Sequence, residues 1–521
     1  MSLLSSVTSN DAVSDDNAPA RTTSSSPGRP AITSACVKQS PTTPTDPERD
    51  VVNEAFTDAA NRAQQCRPPS AIWGDESDAV SSALAWAAEH TVAPSDPKHT
   101  ARSASDLMRD LGQTVTPDGI GYERALELFD RVIVPATRAA DDPMNLAYIP
   151  GAPTRAAVAF DTAVSAANIY AGIWEAGAGA ICAENQALRW ILDLLEWPES
   201  AGGVFVSGGT SGNLSALATA RQTARTWRGR RPANGWKLVC AESAHSSVRS
   251  SASLLDIEVV TVPADAHGHL TGAAVEQACA EHPEIIAVVA SAGSTNAGIV
   301  DDIASITEVA HRRGIWVHVD GAYGGAALAA PSARERFAGI EQADSFIVDP
   351  HKWLFAPYDC CALLYRDPAL ASAAHSQHAD YLDQIARDES NPADLAAHLS
   401  RRARGLPLWY SLATHGTNRY TAAVERCLDT ARTVARAIEA MDHLELALEP
   451  ELSVVVFFRP GWDAAAYQRW SDRLSHSGQI LCIPTRHGGR TALRLAFTNP
   501  ETDPQAVIEV LGTTMNSPDG S

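Results

Sequence analysis

Lysine is nearly absent from this chain: of 41 basic residues only four are lysine, at positions 38, 98, 237 and 352, and arginine supplies the rest. Surplus positive charge is missing as well. The 62 Asp and Glu residues give a formal net charge of -21, which repels phosphate backbones and argues against a nucleic-acid partner. No apolar run is long enough to span a bilayer, so no membrane contact is expected. The N-terminus has no basic start followed by an apolar core, which argues against a secretory signal. It is rich in Ser and Thr but carries Asp11, Asp15 and Asp16, and transit peptides avoid acids, so the expected location is cytoplasmic. The nine cysteines are scattered, with Cys360 and Cys361 adjacent and no CxxC pair at metal spacing. They read as reduced, mostly buried thiols, and no metal is expected.

At 521 residues the chain exceeds one ordinary core, so two or three structural units are expected. Residues 1–48 are mostly Ser, Thr, Pro and Ala, too poor in large apolar groups to offset ordering entropy, and read as a disordered tail. Residues 49–139 show helical recurrence, as in Ser81–Ala88 and Tyr122–Phe129, and suggest an arm that packs on a second subunit. Residues 140–400 form the predicted large domain and 401–515 a smaller α+β domain, with 516–521 as a tail. In the smaller domain a helical stretch over Leu406–Met441 precedes apolar runs at Ser453–Phe458 and Thr491–Phe497.

Within the large domain, near-continuous apolar runs alternate with helical segments: Gly203–Val206, Lys237–Cys240, Glu258–Val262, Ile285–Val289, Ile315–Val319 and Ser345–Val348. This pattern predicts an α/β fold with a mainly parallel sheet buried on both faces. Ligands of such sheets sit off the carboxyl ends of the strands, so the residues just after each run carry the interest. After the first run, Ser207-Gly208-Gly209-Thr210-Ser211-Gly212-Asn213 opens a helix, and Gly-rich helix starts suit a phosphate or an ordinary capped turn. His245 follows the second run, as a stacking ring, a proton carrier or a plain rim histidine. Asp320 ends the His318-Val319-Asp320 run, where a buried carboxylate requires a partner: a pyridinium N–H, a helix N-terminus or a salt bridge. Ala322, two residues on, is small enough to let a flat ring lie against it. Lys352 sits in Asp349-Pro350-His351-Lys352-Trp353, where a buried strand meets a turn. An amine there is expected to lose solvation, have its pKa lowered and attack carbonyls. A phosphate nest, a stacking ring, a buried acid and a lone lysine together match the needs of pyridoxal 5'-phosphate.

With these residues in place, the chain resembles the group II pyridoxal-phosphate-dependent amino-acid decarboxylases, in particular bacterial members of the aromatic-L-amino-acid decarboxylase type. The likeness runs from about residue 50 to about residue 515. It is carried by Val206–Thr210, Ala244–Val248, His318–Gly325, Asp349–Leu354 and Ser400–Trp409. The resemblance implies fold-type I, the aspartate aminotransferase-like fold, with a mostly parallel seven-stranded sheet. It also implies a homodimer with active sites at the interface. Lys352 would form the internal aldimine, Asp320 would pair the pyridine nitrogen, and His245 and Ala322 would flank the ring. Gly209, Thr210 and His351 would hold the phosphate, with Thr295 near the ring, and Tyr148, Ile149 and Trp174 would line the substrate pocket. The implied reaction converts an L-amino acid to its amine and CO2 through the Lys352 aldimine and a quinonoid.

The chain departs from this family in three places. No tyrosine lies between Leu382 and Ser400, where the family's mobile loop carries a proton donor, and Leu395 stands where an aromatic is expected. His398, His245 or Tyr381 could serve instead, or an oxygen-dependent aldehyde synthase could have arisen on the same scaffold. Ser211-Gly212 replaces a usual Glu-Ala, and Ala180-Ile181-Cys182-Ala183-Glu184 is less polar than its counterpart, with Ile181 and Cys182 expected to line the interior near Trp174. The absence of an obvious basic clamp favours an aromatic or aliphatic substrate over glutamate. A non-catalytic module on the same fold is opposed by the retention of both Lys352 and Asp320.

Overall fold

The computed structural model describes residues 76–229, 231–377, 390–517 and 520. The predicted tail 1–48, the first part of the helical arm and Tyr381 lie outside the described residues. The chain from Ser77 to Ser521 forms one compact unit that contains two sheets.

The larger sheet is built from β1 (Gly202–Val206), β2 (Trp236–Ala241), β3 (Ile257–Val262), β4 (Ile285–Ser291), β5 (Trp316–Asp320), β6 (Ser345–Val348) and β7 (Cys361–Tyr365). Their order across the sheet is β1-β7-β6-β5-β4-β2-β3. The pairs β6–β5, β5–β4, β4–β2 and β2–β3 are parallel, and only β7 runs against its neighbours β1 and β6. The fold is therefore α/β fold-type I with the expected mostly parallel seven-stranded sheet. Side chains alternate between two cores: Val288, Val317 and Phe346 enter one, while Ala287, Val289, Trp316 and Ile347 enter the other. Helices cover both faces, which is why these strands read as continuous apolar runs rather than as an alternating pattern. Burying each Val or Ile in such a core contributes about 1.5–3 kcal/mol.

β7 carries no sequence signal of its own. Cys361-Ala362-Leu363-Leu364-Tyr365 contains no β-branched residue, and the strand exists because β1 and β6 pair it from both sides. The smaller sheet, order β10-β11-β9-β8, is antiparallel and contains β8 (Glu445–Leu446), β9 (Val454–Phe458), β10 (Pro484–His487) and β11 (Arg490–Ala496). It packs Val455, Phe457 and Leu495 with Val434, Trp470 and Val507 of its helices. The predicted helix over Leu406–Met441 is two helices, Leu406–His415 and Thr417–Glu439, separated by Gly416 at φ 76°, a left-handed setting that favours glycine. In the N-terminal part, helices span Ser77–Val92, Ala104–Leu111 and Tyr122–Leu128. The first of these buries no residue. Among the described residues, no helix is long and apolar enough to cross a membrane.

Candidate active site

The carboxyl ends of β1, β2, β5 and β6 converge on a cavity of about 380 Å³. Its lining includes Gly208, Gly209 and Thr210 after β1, and His245 and Ser247 after β2. Asp320 and Ala322 come from the end of β5, and Asp349, His351 and Lys352 from the turn after β6. A small adjoining space after β4 brings in Thr295, next to Asp320, Ala322 and Lys352. The eight residues expected to bind a cofactor are thus brought together by topology alone.

Gly209 begins the helix Gly209–Arg228, so its first-turn N–H groups face the cavity with the helix dipole behind them. The turn is packed tightly: a Cβ on Gly209 would sit 3.1 Å from Asp349 Oδ2 and 3.2 Å from Ala322 Cβ. The His351 ring is held from behind, where Nδ1 lies 2.7 Å from the Cys360 carbonyl, and burial pulls its pKa below the ordinary imidazole value. The segment Tyr148–Gly151 braces this turn, since a Cβ on Gly151 would meet the His351 carbonyl oxygen at 1.9 Å. Only glycine allows so close a backbone approach.

The sequence predicts a lowered pKa for Lys352, and the structure corrects this. Burial alone does pull the ammonium down, but the Asp349 and Asp320 carboxylates outweigh it, and the pKa stands above the ordinary lysine value. Lys352 Nζ lies 3.1 Å from Asp349 Oδ2. Asp320 is buried, with Oδ2 accepting from Asn213 Nδ2 at 2.9 Å and Oδ1 from the Ala322 N–H at 3.1 Å. Each carboxylate oxygen therefore keeps acceptor capacity for a further donor in the cavity.

Tyr148, Ile149 and Trp174 line neither space within the single chain. Tyr148 is 69% exposed, Ile149 is buried, and Trp174 packs against the cluster of Val164, Ile181 and Leu406. Ile181 makes that interior apolar as expected, whereas Cys182 is exposed and faces away from it. Gly212 has a steric reason for being glycine, because a Cβ there would meet Ile347 Cγ2 at 2.8 Å and Cys361 Sγ at 3.1 Å. Leu395 is buried in the core beside Val204 and Val206, not in the cavity. His398 lines a neighbouring space with Arg401 and Arg404, and burial holds its pKa down to about 4, so it is neutral near pH 7.

The arrangement fits pyridoxal 5'-phosphate. A Gly-rich helix start faces an amine across the cavity, a buried carboxylate has acceptor sites left, and a small Ala322 lies close to the turn. The comparisons agree with this fit. Residues 107–459 match the family model described as the pyridoxal-dependent decarboxylase conserved domain. The chain belongs to this family. It is a pyridoxal 5'-phosphate-dependent carboxy-lyase.

Similar to this decarboxylase is the aromatic-L-amino-acid decarboxylase of Bacillus atrophaeus, 26% identical over 425 residues, which span 78% of this chain and 88% of that one. The L-2,4-diaminobutyrate decarboxylase of Rhizobium meliloti (strain 1021) is 30% identical over 408 residues, 75% of this chain and 81% of the other. The crystal structure of Oryza sativa TDC with PLP and tryptamine superposes with a TM-score of 0.78 at 24% identity, over 87% of this chain and 100% of that chain, and shares the fold. The oxygen-dependent alternative gains no support from these matches.

Several residues at this site were not singled out from the sequence. Asp349 pairs Lys352, Asn213 bonds Asp320, and Tyr358 and Asp359 line the cavity. Asn213 did leave a trace, being an amide on a helix stripe otherwise made of Ala216, Leu217 and Ala220. A polar group on a buried stripe requires a partner.

Proposed function

We propose that this decarboxylase acts on an L-amino acid with an aromatic or apolar side chain, releasing the amine and CO2. The observation that carries the reading is the meeting of Lys352, Asp320 and the Gly209 helix start at one cavity. Bound pyridoxal 5'-phosphate supplies an electron sink for the pair released when the Cα–carboxylate bond breaks. Lys352 would hold it covalently, Asp320 would pair its ring nitrogen, and His245 and Ala322 would flank the ring. Gly209, Thr210 and His351 would hold the phosphate, and Thr295 would lie at the ring edge.

The chain's own groups have further tasks. Asp349 can take up the proton that Lys352 must lose before its amine reacts. Of the two described candidates, His245 on the cavity wall is better placed than His398 to carry a proton to Cα. A partner subunit that covered the exposed Thr210, His245 and Tyr358 would exclude water, which favours loss of a carboxylate charge. Among the described residues the cavity is lined by Asp320, Asp349 and Asp359 and by no arginine, which disfavours a side-chain carboxylate.

The exposure of Tyr148, and of Val80, Leu84 and Val92 on the N-terminal helix, supports a homodimer that covers both regions. The described cysteines, free and mostly buried, support a reducing, cytoplasmic setting.

The test is turnover by purified holoenzyme of aromatic and aliphatic amino acids, L-2,4-diaminobutyrate and L-glutamate, with amine, CO2, aldehyde and peroxide read together. Amine and CO2 in equal amounts from an aromatic or apolar substrate are expected. Turnover of diaminobutyrate or glutamate alone would overturn the substrate class, and aldehyde with matching peroxide would overturn simple decarboxylation.

A further inference from the structure

Beneath the cavity runs a chain of buried hydrogen bonds whose direction can be worked out donor by donor. Asn213 Nδ2 lies 2.9 Å from Asp320 Oδ2 and 2.9 Å from Ser247 Oγ. Its Oδ1 lies 2.7 Å from His318 Nε2. On the far side of that ring, His318 Nδ1 lies 2.9 Å from Ser345 Oγ, which accepts from Trp316 Nε1 at 2.8 Å. On the near side, His245 Nδ1 lies 2.7 Å from Ser247 Oγ and 3.3 Å from the Ser247 backbone nitrogen.

An ionised carboxylate only accepts, so the amide N–H face of Asn213 must point at Asp320. Its carbonyl then faces His318 and requires a proton on Nε2. His318 is wholly buried, and burial pulls its pKa down to about 4, so the ring is neutral and its Nδ1 is an acceptor. Ser345 fits this, since it receives the Trp316 N–H and donates its own O–H. At the other end, Ser247 Oγ receives the second Asn213 N–H and donates to His245 Nδ1. The Ser247 backbone N–H points at the same nitrogen, which rules out a proton there.

We propose that Asn213 is a positioning residue that orients the Asp320 carboxylate and, through Ser247, fixes His245 as the Nε2–H tautomer on the cavity wall. His245 Nε2 has no partner among the described residues, so this N–H is available to substrate. The resting ring then offers the substrate a proton donor and not a lone pair. It can hold the departing carboxylate, it delivers a proton only when Nδ1 gains one in exchange, and it cannot abstract one through Nε2. One amide thus sets the state of both the Asp320 carboxylate and the His245 imidazole.

The inference rests on the proposed roles of Asp320 and His245, and its test is separable from theirs. Solid-state 15N spectra of histidine-labelled holoenzyme, assigned by the signals lost in His245→Gln, should show His245 protonated at Nε2 alone. Asn213→Leu should weaken pyridoxal 5'-phosphate binding roughly tenfold to a hundredfold, as expected for loss of a hydrogen bond to a charged group, and should mix the His245 tautomers. Ser247→Ala should mix the tautomers while leaving cofactor affinity within about twofold, because the Asp320 bond survives. Should Asn213→Leu not fold, the wild-type and Ser247→Ala spectra decide. A proton on Nδ1 of wild-type His245, or a folded Asn213→Leu with unchanged affinity and tautomer, would overturn the proposal. Covalent capture of the cofactor at Lys352 is unaffected by either result.

Discussion

The floor of the cavity and its mouth are built in opposite ways. On the floor, Asn213 and His318 are buried and have every polar atom partnered, and Asp320 beside them is held at both oxygens. At the mouth, Tyr358 is 57% exposed, and Tyr148, near the turn it braces, is 69% exposed. A pre-organised floor suits chemistry that is the same for every substrate, because fixed dipoles stabilise developing charge without reorganising. A mouth left open by one chain would suit selection by surfaces that the proposed second subunit would complete. The difference teaches where each kind of substitution should act: floor changes on cofactor and turnover, mouth changes on substrate affinity.

The largest effect should come from a buried ion pair outside both regions, beside the neighbouring space that Arg401 and His398 line. There Arg401 pairs with Glu184 at 2.7 Å, and Glu184 also accepts the Gly405 N–H at 2.8 Å. Glu184→Ala would leave a buried, unpaired guanidinium and should cost about 3–5 kcal/mol in denaturant unfolding. A loss under about 1 kcal/mol would mean that the pair is solvated. Next comes the floor. Asp320→Asn should lower kcat by about 10²–10³-fold with KM nearly unchanged, as for loss of a transition-state electrostatic contact. A pure KM effect would place Asp320 with the mouth. Third, Tyr148→Ala should raise KM by about tenfold, equivalent to about 1.4 kcal/mol of substrate contact, with cofactor content intact. Loss of cofactor in that variant would erase the distinction between floor and mouth.

The smallest effect lies away from both. His269 Nε2 meets Glu451 at 2.6 Å and Nδ1 meets Asp265 at 3.3 Å. Burial pulls its pKa down, but these carboxylates outweigh burial and raise it above the ordinary value. The pair's stabilisation is therefore complete below about pH 6.5, the unfolded value, and is lost as the pH rises through the higher folded value. His269→Gln should cost at most about 1 kcal/mol at low pH and less at high pH, read as a Tm difference across that range. A difference that grows with pH would contradict the sign.

The strand-end residues that line the cavity were legible in the sequence because their signals are local. A strand end followed by Gly208-Gly209-Thr210, by Asp320 or by His351-Lys352 carries its position in its neighbours, and the parallel sheet then gathers them. What was hidden depended on long-range pairing. β7 is held by strands on either side, not by its own residues, and Gly212 is set by Ile347 and Cys361 across the core. The Lys352 pKa direction turned on Asp349, three residues away and with no separate signal. Cys182 was expected in the interior because its neighbours in sequence are apolar, yet the helix from Trp174 to Leu194 turns it outward.

The most direct test is borohydride reduction of wild-type holoenzyme, followed by proteolysis and mass spectrometry. One pyridoxyl group on the peptide containing Lys352 is the predicted result. Label on Lys98 or Lys237 instead, or on no lysine, would contradict the assignment of the cofactor to this cavity.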